Sequence, residues 1–256
     1  MTFAGKPVRK TRMTSFYVLL AVAMCVTAFW GFIYTYFAPI LAGRYLDVSW
    51  AVHLHGWSFY FWFLLLPLQA LLIASGRDRL HMALGKASLL LVTIMVLTGL
   101  MVVSVRVDAA LKGAQDGFSL TLLTSGPLIF VSLLLFAGYY GAAVIAAIRG
   151  HFETHKRLII LASAYALPAA VFRIVGNVIG FTPWTVVHSM YLVNGFVIAA
   201  MIYDALVKKR IYSVYIIGLI IGVGVELTVT PFAGNPMVAE VNALVASMAP
   251  WFEEIY

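Results

Sequence analysis

Apolar runs of about 20 residues, separated by short polar connectors, constrain this chain more than any other feature it carries. A helix rising about 1.5 Å per residue needs a run of that length to cross a hydrocarbon layer of roughly 30 Å. Backbone N–H and C=O groups in lipid must be satisfied within the segment, so each run predicts a helix. The runs place spans at 15–39, 52–74, 82–105, 119–148, 156–180, 184–207 and 211–231. Composition points the same way: 63% of the 256 residues are hydrophobic and 11% are charged, more apolar surface than a soluble core of this size can use. The predicted class is all-α, a polytopic membrane protein built as a bundle of about seven transmembrane helices. Its parts are a basic segment over 1–14, the helical domain over 15–231, and a C-terminal segment over 232–256. That last segment ends Trp251-Phe252-Glu253-Glu254 and reads as an amphipathic helix lying on the external surface. The first run is followed by aromatics and Pro39 rather than a small-residue cleavage site, so it reads as a retained span.

Charge sets the expected orientation. With the N-terminus in the cytoplasm, all but Arg44, Arg106, Lys112 and Arg173 of the 17 Lys and Arg residues fall inside, including Lys6, Arg9, Lys10, Arg12, Arg149 and Lys208-Lys209-Arg210. An odd number of spans then leaves the C-terminus outside. The net charge of +7 is accounted for by topology and contact with anionic lipid, so it gives no reason to expect nucleic acid as a partner. The single cysteine, Cys25, excludes an intrachain disulfide and a Cys-rich metal site, and reads as a small packing residue.

The longest connector, around Val107 to Gly117, is too short for a catalytic module, so function has to reside among the helices. Polar groups at membrane depth are costly and mark candidate sites. Six histidines sort into two layers. His53, His55 and His188 fall near the outer ends of their spans, and His81, His151 and His155 near the inner ends. Arg173 lies 18 residues after His155, five turns of about 3.6 residues, which predicts one shared helix face. Gln69, 14 residues after His55, lies within about 40° of the same face of the second span.

Two histidine layers a membrane apart are what two b-type haems would require, with axial pairs His55–His188 outside and His81–His155 inside, and Arg173 neutralising a propionate. Two other readings stand beside this one. Histidines at span ends also serve as interfacial residues. His53, His55 and His188 could instead chelate a non-haem metal, although a closed zinc site wants four ligands. Arg173 and Glu226, opposite charges at similar depth, predict either a buried ion pair that fixes helix packing or a wet cavity with a proton or substrate role, with Asn177 in the same layer. Gly218-x-x-x-Gly222 reads as a helix-packing seam, and Pro67, Pro127 and Pro168 as kinks.

The run His53-Leu54-His55-Gly56, Gln69, Gly76-Arg77, His81-Met82-Ala83-Leu84-Gly85, His155-Lys156-Arg157-Leu158 and Arg173 resembles a group of uncharacterised bacterial seven-helix membrane proteins. The likeness extends from the second span to the sixth. It departs from that family at Met82, where an arginine usually follows the histidine. It implies topology and a choice of residues more than an activity. A looser similarity is to the two-haem transmembrane cytochromes b, in which four helices supply four histidines in two layers. Other seven-helix classes fit less well, since 211–231 contains neither a Schiff-base lysine nor a His-x-x-x-His.

The functional expectation is a redox protein of the bacterial cytoplasmic membrane, a haem- or metal-bearing electron carrier exchanging electrons with quinone or acting as a subunit of a respiratory complex. The alternative is a cofactor-free transporter, sensor or assembly protein. The outer layer is expected to be the functional one. The inner histidines sit beside Arg79, Lys86, Lys156 and Arg157, where interfacial anchoring already explains much of their placement.

Overall fold

A computed structural model describes residues 8–44, 48–113, 117–231 and 234–256. Residues 1–7 of the basic N-terminal segment, Lys6 among them, residues 114–116 of the longest connector and residues 232–233 of the C-terminal segment lie outside the described residues.

Among the described residues every regular element is helical. Helix α1 is Val8–Phe32, and it continues through a π-helical turn, Ile33–Phe37, into the short α2, Ala38–Leu41. The turn is closed by the Ala38 N–H on the Ile33 carbonyl, five residues back. Next come α3 (Trp50–Ala74), α4 (Asp78–Leu111), α5 (Gly117–Ile148), α6 (Phe152–Tyr165), α7 (Pro168–Ile179), α8 (Pro183–Leu192), α9 (Asn194–Lys208), α10 (Ser213–Val229) and α11 (Pro236–Ala246). Among the described residues, five stretches are long and apolar enough to cross a membrane: Phe16–Leu41, Trp50–Ala74, Asp78–Leu111, Thr121–Ile148 and Trp184–Lys208. The pair α6 and α7, bent by 45°, makes a sixth, and α10 is apolar but shorter. The protein is a polytopic bundle of about seven transmembrane helices.

Local chemistry sets the ends. The Ser49 hydroxyl accepts from the Ala51 N–H to start α3. Gly76 (φ +71°) lets the chain reverse in three residues and enter α4. Thr182 and Thr185 cap the start of α8 reciprocally, with Pro183 in the first turn. Helix α4 runs on to Leu111, past the predicted end of its span, because nothing in 106–111 breaks a helix before Gly113 (φ +124°).

The break between α6 and α7 has a plain cause. Pro168 has no N–H to give, and its ring opposes a continuing helix. The break exposes the Tyr165 carbonyl, which the Ser132 hydroxyl of α5 satisfies at 2.5 Å.

Helix α5 is the hub, packing against α4, α6, α8, α10 and α11, while α1 packs between α3 and α7. Trp62 of α3 meets Phe136 and Tyr140 of α5, and Ser88 of α4 shares a 2.8 Å hydrogen bond with the Tyr140 hydroxyl. Outward faces carry exposed Leu90, Ile148 and Ile220, as lipid contact requires. The Gly218-x-x-x-Gly222 seam receives the Leu161 and Tyr165 side chains of α6, each filling space that a Cβ would occupy. Helix α11 packs on α4 and α5 through buried Asn242, Val245 and Ala246, so this part of the C-terminal segment docks on the bundle. Beyond it, the Trp50 indole donates to the Ile255 carbonyl at 2.7 Å.

Helices α1 and α7 touch through backbone. A Cβ on Gly31 would lie 2.6 Å from the Ala170 Cα, an atom that cannot swing aside. Gly31→Ala should therefore lower unfolding stability in detergent by about 1–3 kcal/mol. Gly138→Ala, where a Cβ meets nothing within 4 Å, should leave it unchanged or slightly higher. Equal melting temperatures for the two variants would refute close α1–α7 packing.

Candidate functional site

The structure brings together the inner histidines. His81 sits in the first turn of α4, fixed by the Gly76-Arg77 reversal, and His155 sits in the first turn of α6 after the Gly150 reversal. Their ring centroids are 6.4 Å apart with planes at 85°. His155 Nδ1 lies 2.9 Å from the Ala143 carbonyl of α5. A carbonyl only accepts, so Nδ1 carries the hydrogen and Nε2 keeps the free lone pair. The His81 Nδ1 is buried with no hydrogen-bond partner.

Gln69 completes the cluster from α3. Its Nε2 donates to the His81 carbonyl at 3.2 Å, and its Oε1 is buried and unpartnered. Four helices thus converge on one polar spot with two orphaned atoms, and buried orphans of this kind call for an explanation. His151, the third inner histidine, is exposed at the start of α6.

The outer layer is not assembled. His53 Nδ1 meets the Tyr36 hydroxyl at 2.9 Å, on the α1 side of α3. His55 faces the other way, with Nδ1 3.3 Å from Thr98 Oγ1 of α4 and its ring against Gly99 and Phe59. His188 is exposed on α8. The expected His55–His188 axial pair is therefore not formed, and neither is the His53, His55 and His188 metal set. Two residues of one helix point about 200° apart, which separates His53 from His55. Among the described residues no three His, Cys, Asp or Glu side chains are grouped to hold a metal ion.

Arg173 is also elsewhere. It donates through Nε to Thr35 at 3.0 Å and through a terminal nitrogen to the Ala169 carbonyl at 2.8 Å, and lies over the Phe32 ring at 4.1 Å. The shared face predicted for His155 and Arg173 assumed one continuous helix, and the break before Pro168 voids that count. The expected Arg173–Glu226 ion pair is absent for the same reason. Glu226 is fully buried in α10, and neither carboxyl oxygen has a partner. Asn177 is exposed and donates to the Arg173 carbonyl at 2.8 Å, one turn back.

Sequence reading missed a charged cluster at the basic end. Arg157 and Asp204, both fully buried, form an ion pair. Glu153 binds Arg157 at 2.7 Å and Lys208 at 2.5 Å, and the Tyr17 hydroxyl donates to Asp204 at 2.6 Å. The guanidinium also lies 3.3 Å from the Tyr212 ring centroid. One signal was available: Asp204 is an acid inside an otherwise apolar run.

Comparison of the chain with protein-family models, curated proteins and solved structures finds no match.

Proposed function

We propose that the protein is an integral membrane redox protein that binds one b-type haem between His81 and His155, near the basic end of the bundle. The observation that carries this reading is the pair itself. Imidazoles on opposite sides of one metal, each with a metal–nitrogen bond of about 2 Å, have ring centroids roughly 6 Å apart. The pair has that separation, with its planes crossed. Two protein ligands also suit a metal that brings its own equatorial donors better than a bare ion, which needs three or four side chains.

The group, when bound, would supply a one-electron couple whose potential is tuned by dry surroundings. The chain's own contributions are positional. His81 and His155 would be the residues that hold the group. The Ala143 carbonyl fixes the tautomer and orientation of His155, and Gln69 ties α3 to α4 at His81. Arg77, Arg79 and Lys86 flank His81 and offer positive charge to acidic substituents. A lipid-soluble quinone is the exchange partner this reading implies. The test is an absorption spectrum of the purified chain from haem-replete cells, where reduced α and β bands are expected. Colourless protein would end the proposal.

The same reading puts the chain in a bacterial cytoplasmic membrane with its N-terminus inside. The support is the charge asymmetry and the resemblance to bacterial seven-helix proteins. A reporter fused after Lys209 should be cytoplasmic and one fused after Tyr256 external. The reverse pattern would overturn the orientation.

A further inference from the structure

Glu226 stands apart from the histidine pair and is unexplained by it. It is 0% exposed, both oxygens lack a hydrogen-bond partner, and no described Lys, Arg or His forms an ion pair with it. Arg173 is committed to Thr35 and Ala169, and Arg157 and Lys208 to Glu153 and Asp204. An ionised carboxylate here would lose its hydration with no compensating contact.

The surrounding groups are arranged for something else. From α5, the Tyr139 hydroxyl donates to the Gly218 carbonyl at 2.6 Å. From α6, the Tyr165 hydroxyl donates to Asn194 of α9 at 3.2 Å. Both phenols lie within electrostatic reach of the carboxyl. Thr230 donates to the Glu226 backbone carbonyl at 2.8 Å and meets the Tyr191 hydroxyl of α8 at 3.2 Å. The hydroxyls of Tyr139, Tyr165 and Thr230 have therefore committed their hydrogens to other acceptors, and none donates to the carboxyl. A carboxylate needs donors, whereas a carboxylic acid O–H needs acceptors. Of the other ionisable groups on these elements, His188 of α8 and Glu240 of α11 are exposed, Asp204 of α9 is bound to Arg157, and His155 and Lys156 of α6 are engaged by the Ala143 carbonyl and Glu153.

We propose that Glu226 is a proton-binding site of this bundle, a carboxyl that takes up and releases a proton reversibly inside the membrane domain. Its ligand is a proton rather than a metal cation, since among the described residues no group of three His, Cys, Asp or Glu side chains is assembled to hold a metal ion. The site does not depend on haem, so its failure and that of the redox reading are distinguishable.

The test uses the purified full chain in lipid vesicles and two readouts. Infrared spectra of the wild type should carry a protonated-carboxyl stretch that shifts in heavy water, weakens at alkaline pH and is missing from Glu226→Gln. A hydrophobic carbodiimide, which reacts with protonated carboxyls, should modify Glu226 as located by peptide mass spectrometry. That labelling should fall by up to about tenfold per pH unit beyond the titration midpoint. If Glu226→Gln does not fold, wild-type labelling decides alone. Protection by sodium ion at fixed pH would overturn the proposal in favour of a metal cation site. Absence of both the band and the label would overturn it outright.

Discussion

Arg157→Leu should be among the most destabilising single substitutions in this protein, costing about 3–5 kcal/mol. The change leaves Asp204 fully buried with one hydroxyl donor, Tyr17, and with Lys208 no nearer than 3.9 Å. The cost comes from stranding a charge more than from losing an attraction. Glu153 matters less, because its side chain is 56% exposed and solvent screens it. The control is the double variant Arg157→Leu, Asp204→Leu, which removes both charges and should recover most of the loss. Melting temperature in detergent and abundance in the membrane fraction read the effect. If the double variant is no more stable than the single one, Asp204 does not depend on Arg157 and the buried-pair account fails.

His155→Ala and His81→Ala should each abolish the haem spectrum while leaving membrane insertion intact, since insertion follows hydrophobicity and flanking charge. Removing one of the two side chains leaves a gap the size of an imidazole, and added imidazole should restore bands to His155→Ala. His53→Ala and His188→Ala should keep the parental spectrum, because one imidazole is bonded to Tyr36 and the other is exposed. Loss of the bands in His188→Ala with retention in His155→Ala would move the site to the outer layer and refute the present assignment.

What could be read from sequence was whatever depends on local spacing. Apolar run length located five long membrane-crossing helices and the bent pair α6–α7, and Gly218-x-x-x-Gly222 identified a seam that Leu161 and Tyr165 do fill. Helical arithmetic is sound where the helix is unbroken: His55 and Gln69 both reach α4 from α3, with Pro67 between them. The same arithmetic misleads across the break before Pro168, and with it went the predicted partners of Arg173. Pairings between distant elements were not legible at all. Asp204 chooses Arg157 from 47 residues away, and Glu226 is left alone because α7 turns towards α1. Charge and depth mark such residues as costly, but which helix lies opposite is a tertiary fact.

The π-helical turn at Ile33–Phe37 lets α1 keep two registers at once. Below it, Gly31 and Phe32 address α7 and Arg173. Within it, buried Tyr36 addresses His53 of α3, while Tyr34 between them is 68% exposed. A wider turn delays the phase of everything that follows, and one residue of delay is a rotation of about 100°. The helix therefore carries one residue more than an unbroken α-helical ladder would hold. Deleting a residue from 33–37 could close the turn into ordinary α-helix, and the cost would fall on the alignment of Tyr36 with α3 rather than on the ability of the segment to cross the membrane.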